Sequence, residues 1–422
     1  MKLIRIDQVT LEEAMQKHAM FRAARMGGAR AILAYHDLSG MNLSGHDLSH
    51  ADFTGAMLCQ TDLHDARLDY STLFSADLRL ANLQNASLIR ADMRGICMRG
   101  ALLVNADMTG VDLREGTMTS RDGTYIVPGT TDLSVSSSGV ADLSGANLSR
   151  AKLAGAVANN CDFSDATMKG CKIVRANLQG VNMSGANLQD ADLSMCDVKD
   201  ANLRGAILIN VTTTATKLEE ADCSGALTAE PTGPSLKDLP MPLPDMLREH
   251  LVWLSSDGKS GARIEIDYFD LRHAPSLAHT CLSMMRARAA TFYGLDFSDA
   301  QMQVADMREA DLRHTNFMSA DLRGSDFTGA NFTNSNLQGA LMQPLELSES
   351  REVGTNLSGA TLRYANLSAA NLRRVNFSGA DLTNANFLGS DLIGAIFTNA
   401  KLGGARLSRV QQDQIREVST DK

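Results

Sequence analysis

The chain has 422 residues, of which 44% are apolar and only 5% aromatic, and its formal net charge is -9. The apolar fraction excludes a generally disordered chain, and the negative charge argues against nucleic acid or an anionic membrane held by a general basic surface. No signal-peptide core and no membrane-length apolar run is present, so a cytoplasmic protein is expected. The cysteines form no CxxC pair and favour reduced thiols.

Residues 1–30 predict an N-terminal capping helix. Thr10 and Glu13 form a possible capping box, and Leu11 and Met15 recur on one side of a helix that should run to about residue 25. This helix is predicted to cover the start of the segment that follows.

Residues 31–228 repeat every five residues. Every fifth residue from Leu33 to Met118, which we name the central residue, is Leu, Phe or Met. The same register returns at Leu133 and runs to Cys223. Apolar residues five apart make no stripe on a helix, because a helix advances about 100° per residue. A continuous strand would alternate them between its two faces. The pattern therefore predicts a coil of short extended sides joined by turns, with Ala and the central residue inside and the Asp or Asn between them outside.

Residues 229–261 predict a Pro-rich linker followed by a second capping helix. The helix has a possible N-cap at Asp245. Leu247, Leu251 and Leu254 share one of its faces, so this face is predicted to cover a second array.

Residues 262–409 form that second array, again with a period of five, and residues 410–422 predict a short helix or tail. Each array contains one insertion after which the repeat resumes in phase, at residues 119–131 and 343–356. We predict that both insertions are loops that leave a coil whose columns continue. No cofactor and no metal are expected.

The motif Ala-(Asp/Asn)-Leu-x-Gly, as in ADLSGANLSRAKLAGA over residues 141–156, resembles the pentapeptide-repeat family. The resemblance implies an all-β solenoid of two right-handed quadrilateral β-helices with short capping α-helices and four pentads to a coil. It also implies a bacterial, non-enzymatic binding protein. In smaller members a C-terminal element joins two rods, so a homodimer through the C-terminal end is implied as well.

The residues themselves indicate no catalysis. Acidic residues such as Asp47 and Asp381 occupy the outward position and alternate freely with Asn, which favours a structural and solubility role over paired catalytic carboxylates in a pocket. His273, His279 and Cys281 form a loose set that lacks a fourth ligand and the close pair spacing of a structural zinc site.

The two insertions are the candidate partner-binding elements, because loops that leave a rigid scaffold commonly carry recognition. We expect a scaffold for protein partners, without direct nucleic-acid binding; simple tolerance of the insertions is the open alternative. The candidate residues are Arg121, Asp122, Tyr125 and Ile126 in the first insertion and Glu346, Glu349, Arg351 and Glu352 in the second.

A second function follows from the resemblance. Qnr- and MfpA-type members of the family are similar to B-DNA in width and charge and bind DNA gyrase, so a DNA mimic that binds or protects gyrase or topoisomerase is the alternative. Such a mimic needs a dense anionic stripe, because duplex DNA carries a charge about every 1.7 Å. In this chain Arg79, Arg94, Arg99 and Arg114 lie among the acidic residues.

Overall fold

The computed structural model describes residues 3–116, 118–119, 125–126, 139–348 and 351–420. The chain divides into two compact units, Met1–Glu230 (unit 1) and Pro231–Lys422 (unit 2). Within the described residues, no helix has the length and hydropathy needed to span a bilayer.

Both units are built from coils of four pentads. In the pentad Ala141–Gly145, Ala141 occupies the inner slot, Asp142 the outer slot, Leu143 the central position and Gly145 the corner. Outer-slot residues of neighbouring coils pair in parallel at steps of 20 residues along the chain, as Asp142 does with Asp162. Central N–H groups donate to outer-slot carbonyls of the next coil, as from Leu143 to Asp162 at 2.7 Å. The period of five is therefore one side of a coil.

Inner-slot and central side chains form one apolar core in each unit. Central residues stack in columns: the rings of Phe297 and Phe317 lie parallel, with centroids 4.9 Å apart. Corner residues turn the chain at positive φ, which Gly145 adopts without strain at 62° and which Asn85 also adopts at 57°.

The outer slot explains why Asp and Asn alternate. A side-chain oxygen at this position accepts a hydrogen bond from the backbone N–H two residues later, as Asp142 does from Ser144 at 3.0 Å and Asn147 from Ser149 at 3.1 Å. Because the turn needs one oxygen and no charge, either residue fits.

Helix α1 (Gln8–Arg22) covers the start of unit 1. Strand β1 (Ile4–Arg5), which precedes it, pairs in parallel with β2 (His36–Asp37). The N-cap of α1 is Asp7, whose carboxylate accepts the Thr10 N–H at 2.8 Å, so the helix begins before the predicted capping box. Leu11 and Met15 are buried in the core of unit 1, as the sequence predicts.

Helix α2 (Leu243–Ser255) covers the start of unit 2. Of the three leucines predicted to face the array, only Leu247 packs against its core. Leu243, Met246 and His250 are buried, whereas Leu251 is 49% exposed. The helix also begins after Pro242, which places Asp245 in the first turn and not at the N-cap. Two apolar stripes compete on this helix, and the buried stripe carries the histidine that bonds to the first coil.

Two further segments close unit 2. Ser235, in the segment predicted as linker, pairs in parallel with Asp270, and the carbonyl of Pro234 accepts the Asp270 N–H at 2.6 Å. At the other end, helix α3 (Arg409–Thr420) places Gln411 so that its Nε2 donates to the carbonyl of Ser390 at 2.9 Å.

Candidate functional site

The second insertion folds as a β-hairpin. Strands β5 (Leu345–Ser348) and β6 (Arg351–Val353) pair antiparallel, with a register shift between Glu346 and Ser348. The coil columns continue across the hairpin, since Asp326 pairs with Asn356, 30 residues later instead of 20. The hairpin is thus an addition to an intact coil.

Three of the predicted residues, Glu346, Arg351 and Glu352, lie on this hairpin and are exposed, and Glu349 lies outside the described residues. Glu346 and Glu352 face each other across the strands, an arrangement in which like charges repel. The Arg374 guanidinium engages both carboxylate oxygens of Glu352, with Nη1 2.9 Å from Oε2. Sequence reasoning missed Arg374; the signal was an arginine at a corner position, 20 residues after Gly354.

The hairpin is held closely at its base. A Cβ atom placed on Gly324 would lie 3.3 Å from the Cβ and the carbonyl oxygen of Val353. The Gly324 N–H donates to Oγ1 of buried Thr355 at 2.9 Å, and that hydroxyl donates to the Leu322 carbonyl at 3.2 Å. The base of the hairpin is therefore fixed to the coil by packing and by hydrogen bonds.

Gly324→Ala is expected to loosen the hairpin, whereas Gly359→Ala should not. Both glycines are corners at positive φ, +71° and +65°, so both variants carry the same backbone penalty of about 1–2 kcal/mol. Only at Gly324 must Val353 also move, because nothing lies within 4 Å of a Cβ on Gly359. We expect amide protection in residues 345–353 to fall about tenfold, or about 1.4 kcal/mol, in the first variant alone. Equal protection in the two variants, measured by hydrogen exchange, would contradict this account of the base.

The first insertion also contains an antiparallel pair of strands. Strands β3 (Met118–Thr119) and β4 (Tyr125–Ile126) pair antiparallel. Tyr125 and Ile126 thus occupy a strand, whereas Arg121 and Asp122 lie outside the described residues. Cys97 pairs with Asp142, 45 residues later instead of 20, so the columns continue across an insertion of 25 residues. The predicted loop of residues 119–131 was therefore too short: Met118 lies in β3 and not at a central position, and the coil resumes at the pentad of Asp142. Leu133 lies outside the described residues.

The base of this first hairpin also sits on a corner glycine. A Cβ atom on Gly95 would lie 2.2 Å from the Gly116 carbonyl oxygen. That oxygen accepts from Ser75 Oγ at 3.3 Å, and the Gly116 N–H donates to the Gly139 carbonyl at 2.8 Å. At the base of each insertion, a corner glycine of the neighbouring coil leaves room for the inserted chain, because a Cβ atom there would lie too close to it.

In the described part of the chain, seven acidic outer-slot residues are followed two residues later by arginine, and all seven are neutralised by that arginine within their own pentad. Residues two apart on an extended segment point the same way, and the guanidinium binds both carboxylate oxygens. Burial alone would raise the pKa of Asp306, but hydrogen bonds from Arg308 and Arg288 outweigh it and lower that pKa to about 2. The pairs are Asp77–Arg79, Asp92–Arg94, Asp112–Arg114, Asp270–Arg272, Asp306–Arg308, Asp311–Arg313 and Asp321–Arg323.

A cavity of about 270 Å³ opens in unit 1 beside Cys196, next to the 3-10 helix Leu218–Glu220. Burial raises the pKa of the Cys196 thiol to about 11, so the thiol is a poor nucleophile at neutral pH. The Lys217 ammonium in the cavity wall is paired with Glu220 at 3.1 Å. No group of three or more potential metal-ligating side chains occurs within the described ranges, and His273, His279 and Cys281 form none.

The solved structures to which the chain is similar include the following three. HetL, a pentapeptide repeat protein involved in heterocyst differentiation regulation in the cyanobacterium Nostoc, is 21% identical over 92% of this chain and 93% of its own, with a TM-score of 0.14. Full-length QnrB1, a plasmid-mediated fluoroquinolone resistance protein, is 18% identical over 47% and 92%, with a TM-score of 0.19. A pentapeptide repeat protein of the Arabidopsis thaliana thylakoid lumen is 26% identical over 26% and 72%, with a TM-score of 0.18. No match was found among curated proteins.

The family assignment depends on the repeats themselves. A family model described as pentapeptide repeats matches in eight copies, at residues 31–79, 66–105, 76–119, 141–180, 174–205, 305–343, 347–379 and 370–410. These matches cover more than half of the chain and imply the right-handed quadrilateral β-helix, whose four-pentad coil agrees with the 20-residue steps of the parallel pairing. The chain belongs to the pentapeptide-repeat family.

Proposed function

We propose that this protein is a non-enzymatic scaffold that binds protein partners through its two hairpins and the coil faces beside them. The proposal includes the architecture of the scaffold: each of the two units is a complete right-handed quadrilateral β-helix. The observation that carries the proposal is the contrast within the second hairpin, whose base is packed on Gly324 while Glu346 and Arg351 are exposed.

The composition of the hairpin supports recognition over simple tolerance of an insertion. Leu347, at the register shift, is 50% exposed between charged neighbours. Glu346 lies opposite Glu352, and Arg374 offsets only part of that acidic charge. A hairpin fixed at its base loses little conformational freedom on binding. Little of the binding free energy from these exposed side chains is therefore lost to ordering the hairpin.

The acidic side chains favour neither catalysis nor DNA mimicry. Bidentate arginines such as Arg79 and Arg323 neutralise the carboxylates of Asp77 and Asp321 within their own pentads. A groove-like stripe of free negative charge, which a protein that imitates duplex DNA requires, is interrupted wherever such a pair occurs. We therefore expect no change in the supercoiling activity of purified gyrase at micromolar protein. A homodimer through the C-terminal end and a cytoplasmic location stay predictions.

Site-specific photo-crosslinking tests the proposal. A photoreactive side chain in place of Glu346 or Arg351 is expected to capture the same partner protein, because both positions lie exposed on one hairpin. Thr383 and Ser368 serve as controls, since they lie on the two coil sides that do not adjoin the hairpin and their backbone N–H groups close ordinary turns. Adducts that are equal at all four positions, or a partner found only at the controls, would sink the proposal.

A further inference from the structure

The two units begin with equivalent junctions between a helix and a coil. His18 of α1 and His250 of α2 are both fully buried. Nδ1 of His18 accepts the N–H of Ala31 at 3.0 Å, and Nδ1 of His250 accepts the N–H of Ile264 at 3.3 Å. Each ring thus satisfies the inner-slot N–H of the first pentad. In a regular pentad that N–H donates to the central carbonyl three residues earlier, as from Ala51 to Leu48 at 3.0 Å, and the first pentad has no pentad before it to supply this acceptor.

The sequence repeats the same junction. Gly28-Ala29-Arg30 in unit 1 corresponds to Gly261-Ala262-Arg263 in unit 2. A Cβ atom on Gly28 would lie 2.3 Å from the backbone nitrogen of Phe21, and one on Gly261 would lie 2.3 Å from the Glu249 carbonyl oxygen. The next N–H donates back to the helix in both units, to Lys17 at 3.0 Å and to Glu249 at 3.2 Å.

The bond at Nδ1 requires a neutral ring. Nε2 of His250 lies 3.0 Å from the Ser283 carbonyl oxygen, so the single proton of the ring is on Nε2 and Nδ1 is the acceptor. A second proton would point at the Ile264 N–H, donor against donor, in a site closed to water. The imidazolium is therefore incompatible with the closed junction.

The surrounding charges do not remove this conflict. Asp47 favours a positive charge on His18, while Arg22 and Arg30 oppose it. Arg22 itself is paired with Asp47 at 3.3 Å, and Arg30 lies 3.6 Å from Asp52. At His250 the charged neighbour is Arg263, which again opposes protonation.

We propose that α1 and α2 are acid-released latches, in which protonation of His18 or His250 detaches the helix from the first coil of its own unit and exposes the edge of that coil. Each latch acts within one unit.

The direction of the pH dependence follows from burial. Burial lowers the pKa of both imidazoles in the closed state, whereas in the open state the ring regains its ordinary value of about 6.5. The open state therefore binds more protons. The latch has its full stability above about pH 6.5, and below it the opening constant rises about tenfold per pH unit for each histidine until the pH reaches the closed-state pKa.

Hydrogen exchange of the full chain, corrected for the intrinsic rate at each pH, measures this opening. Protection around Ala31 and Ile264 is expected to fall about tenfold per pH unit below about 6.5. His18→Gln should abolish the pH dependence in unit 1 and preserve it in unit 2, and His250→Gln should do the reverse. His279→Gln, which replaces an exposed histidine paired with Asp299, should change neither. Equal protection at pH 7 and pH 5, or a dependence that survives His18→Gln, would overturn the proposal.

A second measurement covers the case in which a glutamine variant fails to fold. Long-range ¹H–¹⁵N spectra of the unmodified protein report the tautomer of each ring. Nε2–H tautomers at neutral pH for His18 and His250, with protonation midpoints below about 6.5, are expected. An Nδ1–H tautomer or an ordinary midpoint at both rings would refute the latch.

Discussion

Phe317→Ala is expected to lower the free energy of unfolding of unit 2 by about 3–5 kcal/mol. Phe317 is fully buried. Its ring centroid lies 4.9 Å from that of Phe297, on which it stacks, and 5.7 Å from that of Phe332. The cavity that alanine would leave can collapse only slightly, because the backbone N–H of residue 317 is bonded to the carbonyl of Asn336 in the next coil at 2.6 Å and holds the chain in place. Denaturant unfolding followed by fluorescence of Trp253, the single tryptophan, measures the loss.

Phe317→Leu is the matched control for this column. Leucine is the other frequent central residue, as at Leu312 and Leu322 on either side. The leucine variant should lose less than about 1.5 kcal/mol. If alanine and leucine were equally mild, central side chains would not stabilise the coil in the way described.

Arg272→Met is expected to destabilise unit 2 by a similar amount, about 3–5 kcal/mol. The Arg272 and Asp270 side chains are 2% and 1% exposed, and the guanidinium binds both carboxylate oxygens. Asp270 also accepts the N–H of Thr232 at 2.9 Å, which ties the start of unit 2 to its first coil. Methionine keeps the length of the side chain but leaves a buried carboxylate without its cation.

The stability of the Arg272→Met variant should depend on pH with the opposite sign to the contribution of the unmodified pair. Burial raises the pKa of Asp270, but the Arg272 hydrogen bond and the backbone N–H of Thr232 lower it overall. The pair therefore contributes fully above the unfolded value of about 3.9, and the contribution is lost as pH falls through the folded pKa. Without Arg272, burial dominates and acidification should stabilise the variant. Asp270→Asn added to Arg272→Met should recover most of the loss and remove this dependence; a single variant within about 1 kcal/mol of the parent would count against the account.

The period of five was sufficient to predict the coil, because neither a helix nor a strand places Leu33 and Leu38 on one side. The inner face of α2 was not predictable in the same way. Its sequence carries two apolar stripes, and the buried one is selected by a tertiary contact, the bond from Ile264 to His250.

The candidate site was likewise predictable only in part. The break in the repeat located both insertions, and the run from Glu346 to Glu352 marked exposed charge. The pairing within each hairpin was not visible in the repeat, and the contact from Arg374 depends on the 20-residue step between the coil that carries the second hairpin and the next coil. A count of 20 residues back from Arg374 leads to Gly354, two residues after Glu352. The fold could thus be predicted from local periodicity, whereas the contacts of the site required the register between coils.

The most direct test of the scaffold account is the affinity of the cross-linked partner for a chain that lacks Pro344–Val353. This excision restores the 20-residue step from Asp326 to Asn356, and it places Gly354, which tolerates positive φ, at the corner that Pro344 could not occupy. The variant should therefore keep its coil, as Trp253 fluorescence during unfolding can verify. We expect the dissociation constant to rise tenfold or more, about 1.4 kcal/mol or greater. An unchanged dissociation constant in a folded variant would contradict the claim that the hairpin binds the partner.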